Sequence, residues 1–283
     1  MATELAARFE VAEAPESVAR PRRRFDRVWS AVWPKLAAVA SALAIWQLIV
    51  WSGWRPDYVL PAPLPVFERL VGDLKSADFD LGIAITLRRA LLGYVIAVGI
   101  GTVVGIAVGR IQVLRKAVGS AILGLQSMPS IVWFPFAIML FGLNETAIFF
   151  VVVLGAAPAV AGGLLSGIDH VQPLLVRVGR VMGARGVGLH RHVILPASLP
   201  AFVGGLKQGW AFAWRSLMAG EIIGIVGQQL SIGQQIQFAR DFSDMEQLLA
   251  IIVVIFVIGV VIDGLFGAFD RDIRRRWGLG GEA

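Results

Sequence analysis

The sequence has 283 residues, of which 57% are hydrophobic and only 16% charged, whereas soluble domains of this length carry more charge. It contains no cysteine, which excludes disulfides, thiol catalysis and cysteine metal sites. The net charge of +6 does not indicate a nucleic-acid partner, because the basic residues lie at the ends of apolar runs, where they meet lipid headgroups. The apolar runs themselves predict an all-α protein with several membrane-spanning helices.

The N-terminal part of the chain predicts a tail, a first span and a short amphipathic helix. Residues 1–28 predict a mostly disordered tail rather than a cleavable signal peptide, because small residues open the following apolar run instead of closing it. The first span lies in the charge-free stretch between Lys35 and Arg55. At about residues 66–75, apolar residues recur at helical spacing. Either an interfacial helix or a helix packed on the outer end of a bundle satisfies this pattern.

Two further apolar stretches differ in their glycine and proline content. The second predicted span, about residues 90–109, carries glycines at four-residue intervals, which form a face that another helix can approach closely. These glycines are Gly101, Gly105 and Gly109. Residues 117–144 are uncharged but contain Pro129 and Pro135, so we predict one bent span or a span followed by a short broken element.

The remaining spans are predicted at about residues 146–165, 201–226 and 247–269, which gives about six in total. The fourth span has another face of small residues, made by Gly155, Ala159 and Gly163. The chain therefore divides into an N-terminal tail, a transmembrane domain with a long basic loop, and a C-terminal tail. Their bounds are residues 1–34, 35–269 with the loop at 170–199, and 270–283.

Lysine and arginine are concentrated in the two tails and in the loops after the second and fourth spans. The positive-inside rule therefore places both termini in the cytoplasm of a cell whose membrane the protein spans several times.

The loop at residues 170–199 predicts a helix–turn–helix outcrop. One helical face is apolar, with Leu174, Val178, Val181 and Met182. Gly183 and Gly186 then break the helix, because glycine readily takes a left-handed conformation. Physical reasoning leaves two interpretations open: a loop that covers anionic lipid, or a docking element for a cytoplasmic partner.

The same loop carries a motif. Arg177-Val178-Gly179, then Gly183 after three residues, then Val193-Ile194-Leu195-Pro196 after nine more, resembles the coupling motif of binding-protein-dependent ATP-binding-cassette (ABC) permeases. The family pattern is Glu-Ala-Ala, three residues, Gly, nine residues, Ile, one residue, Leu-Pro. Arg177 and Gly179 depart from it, and Arg177 reverses the usual charge at the expected ATPase interface.

Three flanking stretches resemble the nitrate, sulfonate and taurine branch of these permeases. They are residues 60–67, residues 129–145 and Met218-Ala219-Gly220-Glu221. The resemblance implies a type I (MetI-like) permease fold, in which two copies of this chain form one pathway. It further implies two cytoplasmic ABC ATPase subunits that bind ATP and Mg, an external substrate-binding protein, and no cofactor or enzymatic activity in this chain.

Inside the predicted fifth span, Arg215 and Glu221 are candidate pathway residues, because an intramembrane charge is costly unless it faces protein or water. Arg215 suits an anionic solute, and a structural arginine is the alternative. Glu221 either caps or gates the external end, or has a packing role. Trp210 and Trp214 are expected to be lipid or core contacts rather than a substrate platform.

Other functions need features that this sequence does not present. The loop histidines His170, His190 and His192 are expected to be surface residues rather than metal ligands. A secondary transporter driven by an ion gradient would use Arg215 and Glu221 as coupling residues, but we detect no inverted repeat. An integral membrane enzyme would need clustered His, Asp or Glu near one interface. We therefore predict an ATP-driven importer of a small anion, with the secondary transporter as the alternative.

Overall fold

The computed structural model describes residues 24–224 and 230–277, and these residues form helices without any β-strand. The chain divides into two compact units, residues 1–55 and 56–283. The first unit contains helix α1, Arg24–Trp51, with Pro34 inside it. The predicted first span is confirmed, since Val32–Trp51 is long and apolar enough to cross a bilayer. The helix includes the last five residues of the predicted tail, and residues 1–23 lie outside the described residues.

The second unit consists of ten further α-helices and two short irregular turns within the described residues. The α-helices are α2 (Pro63–Asp73), α3 (Ala77–Arg110), α4 (Gln112–Ser127), α5 (Phe134–Phe141), α6 (Glu145–Asp169), α7 (Pro173–Val181), α8 (Gly186–Leu189), α9 (Leu195–Ile223), α10 (Ile232–Asp241) and α11 (Met245–Arg276). A 3₁₀ turn at Ser130–Trp133 precedes α5, and a π-helical turn at His190–Ile194 precedes α9.

Four of the described helices have the length and composition of membrane spans: α1, α3, α6 and α11. The segment from α4 to α5 makes a fifth if it counts as one span, and it bends by 100° at the break. Met128 is extended at this break because a residue before proline avoids the helical conformation, which confirms the predicted interruption at Pro129. Helix α9 occupies the place of the predicted fifth span and has 29 residues, but its charged and amide side chains make it less apolar.

Helix α6 lies at the centre of the second unit, where it packs against α3 and α9. A Cβ atom at Gly101 would lie 2.6 Å from the carbonyl oxygen of Ala157, so only glycine permits this approach of α3 to α6. On the opposite contact, a Cβ atom at Gly163 would lie 2.4 Å from Cα of Gly205. Both predicted small-residue faces are therefore confirmed as close helix contacts.

Two predicted boundaries need correction or completion. Helix α3 begins at Ala77, not near residue 90, so Arg88 and Arg89 lie inside a helix rather than in a loop. Helix α2 confirms the predicted amphipathic helix, and it packs on α11 through the fully buried Val66. Arg69 of α2 pairs with Asp244 at the start of α11, with 3.3 Å between Nη2 and Oδ2.

Candidate functional site

The outcrop (residues 170–199) has the helix–turn–helix form that the sequence predicts. Helix α7 ends at Val181, and the chain turns through Gly183 and Gly186, whose φ angles are +91° and +52°. Such angles strain any residue with a Cβ atom, so these two glycines set the direction of the turn. Helix α8 and the π-helical turn then lead directly into α9.

Apolar side chains project from α7 on the surface of the outcrop. Val181 is 89% exposed and Met182 is 81% exposed, and Leu174 and Val178 are also exposed. A row of apolar side chains that this chain leaves uncovered is typical of a surface that another molecule contacts. Arg177 is exposed beside this row and forms no ion pair among the residues described here.

The remaining motif residues hold the outcrop together. Gly179 is buried, and a Cβ atom there would lie 2.8 Å from Cγ2 of Val193. Glycine in place of the usual alanine therefore allows α7 to approach the π-helical turn closely. Leu195 and Pro196 form the first turn of α9, where proline is tolerated because its missing N–H has no helical partner to lose.

Arg215 lies on the surface of α9, beside a cavity of about 230 Å³. Its Nε donates to the carbonyl oxygen of Ala211 at 3.0 Å, and its guanidinium lies 4.9 Å from the ring centre of Phe212. Ser130 lines the same cavity, and its hydroxyl is 2.6 Å from that of Ser216. In the part of the chain that the structure describes, Arg215 has no carboxylate partner, so its outer nitrogens can bind an anion.

Glu221 does not share this cavity, because it is only 1% exposed and lies in a hydrogen-bonded network. One carboxylate oxygen accepts from Nη1 of Arg89 at 3.1 Å. The other accepts from the hydroxyl of Thr86 at 2.9 Å and from the backbone N–H of Gly233 at 3.3 Å. The contacts of Glu221 are thus those of a packing residue that joins α3, α9 and α10.

Sequence reasoning missed Arg89, which is buried and also donates from Nε to Glu145 at 3.0 Å. A signal for it existed, because Phe79, Thr86 and Arg89 recur at the spacing of one helical face that continues upstream from the predicted span. Glu145 begins α6 and Glu221 is near the end of α9. Since the outcrop joins the other ends of these two helices, the network lies at the end of the bundle away from the outcrop.

The other predicted side chains on these helices have local partners. Trp210 and Trp214 stack with ring centres 6.3 Å apart, and Tyr94 packs edge-on against Trp210. Both tryptophans belong to the buried core, as the sequence favoured. Lys207 pairs with Asp263 of α11, with 3.0 Å between Nζ and Oδ1.

The outcrop histidines each use Nδ1 to bond a backbone carbonyl four residues earlier. His170 bonds Ser166 at 2.7 Å, and His190 and His192 bond Gly186 and Gly188 at 3.0 Å. Within residues 24–224 and 230–277, no three His, Asp or Glu side chains are grouped so as to hold a metal ion.

These features define a helical membrane protein whose spanning bundle carries an exposed outcrop between two adjacent long helices. More narrowly, the chain belongs to the family described as binding-protein-dependent transport system inner membrane component, whose profile matches residues 97–275. It is therefore the inner-membrane permease subunit of a binding-protein-dependent ABC importer, and not an enzyme. In such importers a separate subunit hydrolyses ATP, and a substrate-binding protein acts with the permease. This membership decides against the secondary transporter and the membrane enzyme.

Relatives across most of the chain have transport names. A probable ABC transporter permease of Brucella melitensis is 29% identical over 83% of this chain and 94% of its own. The taurine transport system permease protein TauC of Escherichia coli is 28% identical over 83% and 86% of the two chains. The nitrate import permease protein NrtB of Synechocystis is 26% identical over 86% and 91%.

Solved structures support the fold. A methionine ABC transporter, MetNI, in an inward-facing conformation has a chain that matches with a TM-score of 0.58 and 20% identity. The match covers 68% of this chain and 94% of that chain. The predicted all-α, MetI-like permease fold is confirmed by this likeness.

Proposed function

We propose that this permease translocates a small oxyanion, either nitrate or an aliphatic sulfonate such as taurine, and that Arg215 attracts the anion within the pathway. The observation that supports this proposal is the guanidinium of Arg215, which faces a cavity in a membrane helix without a carboxylate partner in the described residues. Guanidinium N–H groups bind planar nitrate and tetrahedral sulfonate through paired hydrogen bonds. The names of the TauC and NrtB relatives agree with both classes of anion.

Two copies of this chain form the pathway in this proposal. Arg215 lies on the exposed side of α9, and the second copy completes the cavity beside it. Because Glu221 is enclosed by α3 and α10, it acts on transport by fixing helix positions and not by contact with the solute. The binding protein delivers the anion at the outer end of the bundle.

The driving force comes from two ATPase subunits that bind ATP and Mg and dock on the outcrop. Their contact surface includes the apolar row on α7, and Gly183 and Gly186 set the angle of that row to α9. Nucleotide-driven closure then moves α9 and α6, which join the outcrop at its two ends, and the pathway opens alternately to each side. This arrangement places the outcrop and both termini in the cytoplasm, in agreement with the basic loops.

The test is substrate-stimulated ATPase activity of the complete transporter, reconstituted with its ATPase and binding protein. We expect taurine or nitrate to stimulate hydrolysis in the wild type. Arg215→Gln should lose at least tenfold of this stimulation, whereas Arg215→Lys should retain part of it because the point charge remains. Arg240→Gln is the matched control, since it removes an exposed arginine far from the cavity. Equal stimulation of Arg215→Gln and wild type would contradict the role of Arg215.

A second variant separates coupling from solute binding. Gly183→Trp forces a bulky residue into a left-handed backbone position on the outcrop surface. We expect it to abolish stimulation by every anion while the binding protein still binds its ligand. If a neutral solute stimulates the wild type and neither oxyanion does, the proposed substrate class is wrong although the coupling mechanism stands.

A further inference from the structure

An apolar groove runs between the last turns of α3 and the start of α8, where α3 meets the outcrop. Two adjoining cavities form it, with volumes of about 680 and 210 Å³. Ile106, Arg110, Val187 and His190 line both, so the two cavities are parts of one groove. The proposed transport function assigns no role to this groove.

One wall of the groove belongs to a membrane span. Val103, Ile106 and Ala107 lie on α3, on the side away from the glycines that pack against α6. Val103 is 68% exposed, and Val187 on the facing wall is 66% exposed. The groove therefore presents an uncovered apolar surface that continues from the membrane to its boundary, which suits an acyl chain.

The boundary end of the groove is basic. Arg110, Arg191 and His190 line it, and neither arginine forms an ion pair among the residues that the structure describes. His190 uses Nδ1 for the carbonyl oxygen of Gly186, which leaves Nε2 for another partner. No acidic side chain lines either cavity in this part of the chain, and the nearby Asp169 is paired with Arg115.

We propose that this groove is a binding site for an anionic phospholipid. The lipid phosphate binds between Arg110 and Arg191, because guanidinium groups bind phosphate oxygens with paired hydrogen bonds. One acyl chain lies along Val103 and Ile106. Charge and shape favour a lipid over a protein partner, because basic groups at the end of a membrane helix attract anionic headgroups and the apolar wall extends into the span.

Native mass spectrometry of the purified full-length permease tests the site. The delipidated protein is titrated with phosphatidylglycerol and, separately, with phosphatidylcholine of the same chains. We expect the wild type to retain phosphatidylglycerol at least tenfold more tightly. The double variant Arg110→Gln with Arg191→Gln should lose this preference, since each basic residue near the headgroup contributes to the attraction. Arg271→Gln with Arg275→Gln is the control, because it removes two basic residues outside the groove.

Two further arms make each result decisive. Val187→Asp places a carboxylate on the groove wall without touching either arginine, so it should also weaken phosphatidylglycerol binding. Inorganic phosphate at millimolar concentration should not displace the lipid, whereas displacement would show that the site binds free phosphate instead. Equal retention of the two lipids by the wild type, an equal loss in the control variant, or release of the bound lipid when the ATPase subunit binds would overturn the proposal.

Discussion

At the scale of single residues, Glu221 is the most tightly constrained charge in the described bundle. A buried carboxylate is costly unless other groups satisfy its oxygens, and here Arg89, Thr86 and the N–H of Gly233 do so. Arg89 connects this buried carboxylate to Glu145, whose side chain is 39% exposed. One arginine thus pairs with a buried and a partly exposed acid, and the two pairs should differ in energy.

Replacement of each acid by its amide tests this difference. We expect Glu221→Gln to destabilise the protein by about 3 kcal/mol, because it leaves the charge of Arg89 buried with a neutral partner. Glu145→Gln removes the same charge at a partly exposed position and should cost about 1 kcal/mol or less. The midpoints of thermal unfolding in detergent, followed by tryptophan fluorescence, measure both changes. Similar midpoints for the two variants would show that the buried pair contributes no more than the exposed one.

At the scale of elements, glycine contacts fix the distance between the long helices. In a membrane the association of helices depends on close packing, since lipid tails are as apolar as the side chains. Gly163 of α6 and Gly205 of α9 face each other so closely that a Cβ atom on Gly205 would lie 2.7 Å from Cα of Gly163. The distance between α6 and α9, which both join the outcrop, therefore depends on the absence of a side chain at these positions.

Adjacent glycines on α9 provide a matched pair of variants. Gly205→Ala should push α9 from α6 and destabilise the protein by about 1–3 kcal/mol. Gly204→Ala adds the same methyl group in open space, with no atom within 4 Å, and should be neutral or slightly stabilising because alanine favours helix. Thermal unfolding midpoints compare the two. A Gly205→Ala variant as stable as Gly204→Ala would mean that the helices separate without loss of packing.

At the scale of the whole molecule, the uncovered apolar row on the outcrop concerns the assembly of the transporter. Val181 gains nothing within this chain from being apolar, because 89% of its surface is exposed. Burial against an ATPase subunit would gain hydrophobic free energy at this position. The apolar row is thus the part of the described surface on which we expect assembly to depend.

A charge at this position tests the assembly. Val181→Asp should reduce the amount of ATPase that co-purifies with the permease at least tenfold, while the unfolding midpoint of the permease alone stays unchanged. Phe242→Asp is the control, because Phe242 is equally apolar and 81% exposed but follows α10, away from the outcrop. If Val181→Asp retains the ATPase as well as the control does, this face of the outcrop is not the contact.

The sequence alone determined the features that depend on neighbouring residues. Apolar runs predicted the spans, Pro129 predicted the break, and Gly183 and Gly186 predicted the turn of the outcrop, because each acts through the local backbone. The motif spacing in the outcrop was enough to indicate the permease family that the profile match then showed.

Tertiary structure alone decided which charges meet. Arg89 and Glu221 are 132 residues apart in the chain, and no local pattern couples them. For the same reason the sequence treated Arg215 and Glu221 alike as intramembrane charges, although one faces a cavity and the other is enclosed. The difference arises from the packing of α3 and α10 around the end of α9, which depends on contacts between distant segments rather than on the residues of α9 themselves.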